Sequence, residues 1–276
     1  MKELTLKELQ LSELEILKDI HQFCLRNSIK YSLYAGSLLG ALRHKGFIPW
    51  DDDVDIILPR PDYERFVKNY HSDKFEVLYL SNDKSYKLAF ARVCDSKKTS
   101  MVTTEPWTNH NVGVWIDVFP ADGFPVDEVA QKRLYEKSVK DRELITFIRR
   151  SMPPIDFSRG VLSCGKRVIK KAITLNGASA FVLVGKLNRN IQKYHFGETP
   201  YWASLSCVDR RQIMHKHYPI ECFRDCISAQ FEDTEVMIMN GAETMLDIMY
   251  GDWQKLPPVE DRKPKQSYIH FYWKDK

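Results

Sequence analysis

Four aspartates crowd into five positions of the chain, at Asp51, Asp52, Asp53 and Asp55. Apolar residues follow directly, so residues 54–58 are predicted to form a buried strand. Alternate side chains of a strand share one face, which places Asp53 and Asp55 on the same side, with Asp51 behind them. Two carboxylates on one face offer the hard oxygen ligands of Mg²⁺ or Mn²⁺, and these ions complete their shells with water and substrate phosphate. The pattern predicts a divalent-cation site that acts on a phosphate ester.

A second group of residues lies just upstream of the acidic cluster. Gly36 and Ser37 stand where a short predicted strand turns into a predicted helix. Backbone N–H groups at a helix N-terminus favour an anion, so this turn is a candidate phosphate contact. Arg43, His44 and Lys45 follow, and arginine can bind a phosphate through two parallel hydrogen bonds. A solvated loop is the alternative interpretation of these three basic residues.

A third carboxylate is expected on a neighbouring strand. Asp117 lies between Ile116 and Val118 in the predicted strand at residues 112–119. An aspartate on an interior strand is costly to bury without a partner, so we predict that Asp117 is a metal ligand or the base that takes the acceptor's proton. Asp122 is the competitor, but its Ala-Asp-Gly setting indicates a turn.

The hydrophobic pattern predicts the elements that position these residues. Residues 12–15 match a capping box for a first amphipathic helix, which Asn27 ends. Helical patterns recur at residues 62–70 and 241–249, and further strands are predicted at residues 75–80 and 87–94. The expected fold class is α/β (α+β) with a mixed sheet of about five strands. We expect a catalytic core at 1–125, a basic helical region at 126–196 and a C-terminal segment at 197–276 that packs on the core.

Composition excludes several classes of protein. The 276 residues carry a formal net charge of +4, 43% are apolar, and 14 Phe, 13 Tyr and 6 Trp make a disordered chain a poor interpretation. A charge this close to neutral is no nucleic-acid signature, so no nucleic-acid partner is expected. No CxxC pair occurs among the six cysteines, and no apolar run reaches the ~20 residues of a membrane span.

These features predict a cytoplasmic protein. The first ten residues also lack the apolar segment of a secretory signal, which favours the same location. Between residues 156 and 198 basic residues accumulate without an acid. A solvated helix face is one interpretation of this segment; contact with anionic lipid or a lipid-linked phosphate, at the inner face of the membrane, is the other.

Residues 36–55, with the Pro-Arg-Pro-Asp-Tyr segment at 59–63, resemble the LicD family of phosphotransferases, a branch of the nucleotidyltransferase fold that includes the fukutins. Further marks of the resemblance are residues 113–123, 231–232, 250–253 and 256–258. The resemblance implies a nucleotidyltransferase-like mixed-sheet core. It also implies transfer of phosphocholine from CDP-choline, or of another phosphoalcohol such as the ribitol phosphate of fukutin substrates, to a hydroxyl of a glycan precursor of teichoic acid or lipopolysaccharide type.

In such a reaction the metal, held by Asp53, Asp55 and Asp117, would neutralise the diphosphate while the acceptor hydroxyl attacks phosphorus and CMP leaves. We predict direct transfer without a covalent enzyme intermediate, because no cysteine lies in a nucleophile motif. If choline is the alcohol, its quaternary ammonium needs aromatic faces, and four aromatic residues stand closest to the motif: Tyr34, Trp50, Trp107 and Trp115. Core packing is the alternative interpretation of each of them. Nucleotide transfer to a small molecule or RNA, and a non-catalytic nucleotide-binding protein, stay open as alternatives.

Overall fold

A computed structural model of the chain describes residues 1–82, 86–103, 112–149, 177–208, 217–265 and 268–275. In these ranges the α-helices are α1 (Leu6–Arg26), α2 (Ala35–His44), α3 (Arg60–Asn69), α4 (Glu128–Arg149), α5 (Gly177–Ile191) and α6 (Ala242–Tyr250). The strands are β1 (Ser32–Leu33), β2 (Asp55–Pro59), β3 (Glu76–Leu78), β4 (Ala91–Asp95), β5 (Thr99–Thr103), β6 (Val114–Phe124), β7 (Tyr201–Ala203), β8 (Tyr218–Pro219), β9 (Cys226–Phe231), β10 (Thr234–Met239) and β11 (Ile269–Trp273).

The main sheet is mixed, as predicted. Its strand order is β1-β2-β6-β4-β3, with β7 on β6 and β8 on β7. Strands β2 and β6 run parallel, whereas the other pairs of this sheet are antiparallel. Branched apolar residues fill both central strands and are fully buried, among them Ile56, Ile57, Ile116 and Val118. Burial on both faces explains why these strands are continuous apolar runs interrupted by single aspartates.

Helix α1 begins earlier than the sequence pattern indicated. Its capping box is formed by Thr5 and Glu8, so the box predicted at residues 12–15 is wrong. The Ser12 hydroxyl instead donates to the Glu8 carbonyl inside the helix, at 2.9 Å. Asn27 does cap the C-terminus, as predicted. Glu13, which the predicted box treated as part of a cap, lies on the buried face of α1.

Strand boundaries shift in two places that concern the site. Strand β2 starts at Asp55, so Asp53 lies two residues before the strand rather than on it. Strand β6 continues to Phe124, so the predicted turn at Asp122 is wrong. Pairing with β7 holds this end of β6 extended, and Asp122 is the register partner of Ala203.

C-terminal strands pair with or pack on N-terminal ones. Strand β11 pairs antiparallel with β5, and β9 and β10 form a hairpin. The hairpin packs beside β1, where the Met239 amide donates to the Ser32 hydroxyl at 2.9 Å. The segment before β11 reaches the acidic cluster, where the Lys265 amide donates to Asp52 at 3.2 Å, while the division into three regions stays a prediction.

The middle of the chain contributes the antiparallel pair α4 and α5, as its helical pattern predicted. Asp141 of α4 accepts from Lys186 at 3.2 Å and from Asn190 at 3.1 Å, both on α5. The other basic residues of this region at positions 159, 166, 167, 170 and 171 lie outside the described residues. In the described ranges, every helix is too short or too polar to span a bilayer.

Candidate functional site

Three consecutive carboxylates form the acidic cluster. Asp51, Asp52 and Asp53 each offer an oxygen, and these oxygens lie within 4.8 Å of one another. Asp51 and Asp52 are buried, with 6% and 8% of their surface exposed. Burial, and then the carboxylate of Asp53, raise the pKa of Asp51 to about 7. Such crowding of hard oxygen donors is unfavourable without a cation and fits Mg²⁺ or Mn²⁺.

Asp55 and Asp117 are neighbours across the two parallel strands. They are register partners in the β2–β6 pair, so their side chains lie on the same face of the sheet. Burial raises the pKa of Asp55 well above its ordinary value, and the carboxylates of Asp53, Asp117 and Asp51 add to this effect in that order. The predicted trio Asp53, Asp55 and Asp117 is therefore close enough to interact, while its role as the metal-ligand set stays a prediction. The structure adds Asp51 and Asp52 to the oxygen donors beside it.

Arg92 holds Asp117 in place. The two residues face each other on β4 and β6, and Arg92 Nε donates to Asp117 Oδ1 at 2.6 Å. The guanidinium also lies 4.0 Å from the ring centre of Trp115, so Trp115 supports the arginine. This contact occupies Oδ1, and Oδ2 is the Asp117 oxygen that Arg92 does not bind.

Asp122, the competitor of Asp117, has a structural partner. Both of its oxygens accept from the buried Arg60, at 2.7 Å each. A bidentate, buried ion pair of this kind uses the full acceptor geometry of the carboxylate. Asp122 therefore anchors α3 to β6 and is not part of the acidic cluster.

Gly36 and Ser37 lie in the first turn of α2 and set the position of two aspartates. The Ser37 hydroxyl accepts from the Asp55 amide at 2.9 Å. A Cβ on Gly36 would stand 2.9 Å from Asp51 Oδ2, so only glycine lets this carboxylate approach the helix start. The preceding Ala35 has φ 47°, a strained value for an alanine, and such strain concentrates at functional sites. Phosphate binding by this turn stays a prediction.

The other predicted substrate-binding residues face the C-terminal segment. Arg43 Nη1 donates to the carbonyls of Trp253 and Lys255, at 2.7 and 3.3 Å. His44 packs edge-on against Trp50, with ring centres 6.4 Å apart.

None of these side chains, nor Lys45 at the end of α2, lines the cavities that Asp55 and Asp117 border. Substrate binding by these four residues stays a prediction, and Trp107 lies outside the described residues.

Two cavities open beside the paired aspartates. The larger, about 360 Å³, includes Asp117 in its wall and is named here the basic cavity, after Lys87, Arg92, Arg142 and Lys265. The smaller, about 280 Å³, includes Asp55 and is named the aromatic cavity, after Tyr34, Phe119, Phe124, Tyr135, Tyr218 and Tyr250. The site thus lies between two compartments.

Sequence reasoning missed Glu13 and Lys265. Glu13 is 2% exposed, and its Oε2 has no hydrogen-bond partner among the described residues. Burial raises the pKa of Glu13 well above its ordinary value, and Asp53 and Asp51 add to this. Lys265 opposes the raised pKa of both Asp51 and Asp55, and its amide donates to Asp52 at 3.2 Å. The sequence signal for Glu13 was its place on the same helix face as the apolar residues Leu9, Ile16 and Leu17.

Glu232, predicted only as a mark of the family resemblance, makes two hydrogen bonds to the loop that follows α2. Its Oε1 accepts from the Phe47 amide at 3.0 Å, and its own amide donates to the Lys45 carbonyl at 2.8 Å. The carboxylate occupies the space that a Cβ on Gly46 would need. Glu232 thereby holds the loop that leads from α2 to the acidic cluster.

Comparison with known proteins identifies relatives of this chain. The family described as LicD/FKTN/FKRP, nucleotidyltransferase domain, matches residues 28–156. The lipopolysaccharide cholinephosphotransferase LicD of Haemophilus influenzae is 34% identical over 287 aligned residues, which cover 98% of this chain and all of the relative. An uncharacterized protein of Rickettsia typhi is 29% identical over 126 residues, 46% of this chain and 39% of its own.

The chain belongs to the LicD family. Because the similarity to a LicD cholinephosphotransferase extends over nearly the whole chain, it is a LicD-type transferase.

Proposed function

We propose that this protein transfers phosphocholine, or a similar phosphoalcohol, from a CDP-alcohol such as CDP-choline to a hydroxyl of a cell-surface glycan precursor. The observation that carries the proposal is the register pairing of Asp55 with Asp117 beside the acidic cluster, at the boundary of two cavities. The full-length similarity to a protein named for phosphocholine transfer to lipopolysaccharide supports this donor group and an acceptor of that type. A teichoic acid precursor is the second acceptor of the same chemical class.

Mg²⁺ or Mn²⁺, when bound by Asp53 and Asp55, would neutralise the diphosphate of the donor. Asp117 stands on the same sheet face and would accept the proton of the acceptor hydroxyl at Oδ2, because Oδ1 is bound by Arg92. Arg92 fixes the orientation of that carboxylate and so aligns the base with the reacting hydroxyl. The hydroxyl then attacks the distal phosphorus, and CMP leaves.

Direct transfer fits the residues around the two cavities. Cys207 is the cysteine that lines both of them, and burial raises its pKa above the ordinary value. A thiol held protonated is a poor nucleophile. The proposal therefore contains no covalent enzyme intermediate, and trapping of a phosphorylated enzyme from labelled donor would contradict it.

The remaining parts of the proposal concern fold and location. A nucleotidyltransferase-like core is supported by the description of the matched family and by the mixed sheet that carries the aspartates. A cytoplasmic site of action, with peripheral contact at the inner membrane face, suits a nucleotide donor and a lipid-linked glycan acceptor. Vesicle flotation with anionic lipid at low and high salt measures that contact.

The decisive experiment incubates the protein with a panel of CDP-alcohols, Mg²⁺ and a glycan acceptor, and measures CMP. CMP release from CDP-choline, lost in Asp53→Asn and Asp117→Asn, is the expected result. Asp73→Asn, which changes an exposed aspartate between α3 and β3, is the matched control and should behave as wild type. Release of phosphocholine instead of CMP would make the protein a nucleotidyltransferase, and release of neither would refute catalysis on these donors.

A further inference from the structure

The two cavities differ in their lining. Among the described residues that line the aromatic cavity, six are aromatic and Asp55 is the acidic one. The basic cavity is lined, within the described ranges, by Lys87, Arg92, Arg142 and Lys265, together with Asp117, which pairs with Arg92. An anionic group is therefore favoured in the basic cavity.

One short segment separates the two compartments. Residues 204–208 follow β7, and Ser204 lines the aromatic cavity while Ser206 lines the basic cavity. Both hydroxyls are buried, and neither has a hydrogen-bond partner within the described ranges. Buried hydroxyls are normally bonded, so an unpaired hydroxyl on each side of this wall points to a ligand on each side.

The aromatic cavity presents ring faces rather than hydrogen-bond donors. The hydroxyls of Tyr34 and Tyr218 lie close enough to influence each other, and burial raises the pKa of both phenols, so both stay neutral. The ring of Tyr34 lies 5.8 Å from that of Phe119. A quaternary ammonium has no N–H to donate and is attracted by aromatic faces and by a nearby carboxylate. A primary ammonium carries three N–H groups, each of which needs a hydrogen-bond acceptor. The lining of the aromatic cavity offers few acceptors.

We infer that the aromatic cavity binds the trimethylammonium group of the donor and that the basic cavity binds its nucleotide. This assignment rests on the proposed function, because it takes the donor to be a CDP-alcohol that spans the Asp55–Asp117 pair. Selectivity for choline over other alcohols then resides in the ring faces of the aromatic cavity. Tyr250, the last residue of α6, is the ring best suited to test this, since it is 42% exposed and its replacement leaves the core intact.

The test compares binding of CDP-choline and CDP-ethanolamine, which differ by three methyl groups, by isothermal titration calorimetry with Mg²⁺ present. Wild type and Tyr250→Phe should bind CDP-choline about tenfold more tightly, because the ring face is kept. Tyr250→Leu should lose most of this ratio. Tyr268→Leu removes an aromatic ring from the basic cavity and is the matched control; it should weaken both donors equally and keep the ratio.

The assignment is overturned if wild type shows no preference, if Tyr250→Leu keeps it, or if Tyr268→Leu loses it. CMP release separates this failure from failure of the proposed function. Transfer from CDP-choline with an unchanged ratio in Tyr250→Leu would refute the cavity assignment alone. The expected binding ratios without CMP release from any donor would support the assignment and refute the proposed transfer.

Discussion

The charge of Asp51 provides a quantitative test of whether the acidic cluster is built for a cation. The pKa of this carboxyl rises from 3.8 to about 7, chiefly through burial and then through Asp53. The folded protein therefore holds the Asp51 proton more tightly than the unfolded chain does. Without a cation, this group makes the protein most stable below about pH 4, and stability falls as the pH rises to about 7.

The size of the effect follows from the difference in pKa. Each pKa unit corresponds to ~1.4 kcal/mol, so the ionised carboxylate costs about 4 kcal/mol at pH 8. Asn has nearly the same shape and no charge, so Asp51→Asn should recover most of that energy. For a chain of this length the gain is a rise in Tm of roughly 7 °C as an upper value.

The assay is thermal unfolding of wild type and Asp51→Asn in EDTA from pH 5 to pH 8, repeated with Mg²⁺. In EDTA the variant should be more stable at pH 8, and the difference should shrink towards pH 5. Mg²⁺ should raise the Tm of wild type and have a smaller effect on the variant, because binding to the folded state alone is stabilising. A variant that is less stable than wild type at pH 8 in EDTA would refute the reasoning.

Three further predictions concern the residues around the cluster. Gly46→Ala places a Cβ on the Glu232 carboxylate and should cost about 1–3 kcal/mol of stability, read from urea denaturation; an unchanged midpoint would show that the loop adjusts freely. Arg92→Met leaves Asp117 without its ion-pair partner and should cost about 3 kcal/mol, and adding Asp117→Asn should restore part of it; strict additivity in this double-mutant cycle would contradict a coupled pair. Asp122→Asn should lower the Tm while the folded enzyme keeps its kcat, so a loss of turnover at full folding would place Asp122 in the site.

The parts of the fold that sequence reasoning predicted are those with local signals. Helix α3 has Pro59 at its N-cap and Pro61 in its first turn, and β2 is an apolar run next to a cluster of acids. The pattern also gave the position of Asp117 between apolar residues, because strand alternation and burial act over a few residues. Local signals therefore sufficed to select Asp53, Asp55 and Asp117 as candidates, and the structure shows that the three lie near one another.

Residues that strand pairing brings together had no such local signal in the sequence. Arg92 meets Asp117 only because β4 lies next to β6, and β6 extends through Asp122 only because β7 pairs with it. Glu13 was misassigned because Ser12 and Glu15 imitate a capping box, whereas the helix had already started at Leu6. Lys265 reaches the acidic cluster from the C-terminal segment, which no short-range pattern connects to residues 51–55.

The parallel pairing of β2 with β6 also has a consequence for how the molecule forms. Parallel strands cannot be joined by a tight turn, and here α3 and strands β3, β4 and β5 intervene between Asp55 and Asp117. Closing so long a loop is an entropic cost that refolding meets before the two strands stabilise each other. Helical content should return early after dilution from denaturant, while the pairing of Asp55 with Asp117 returns only with the slow docking of β6. If the proposed reaction needs both aspartates, activity is therefore regained at the end of refolding.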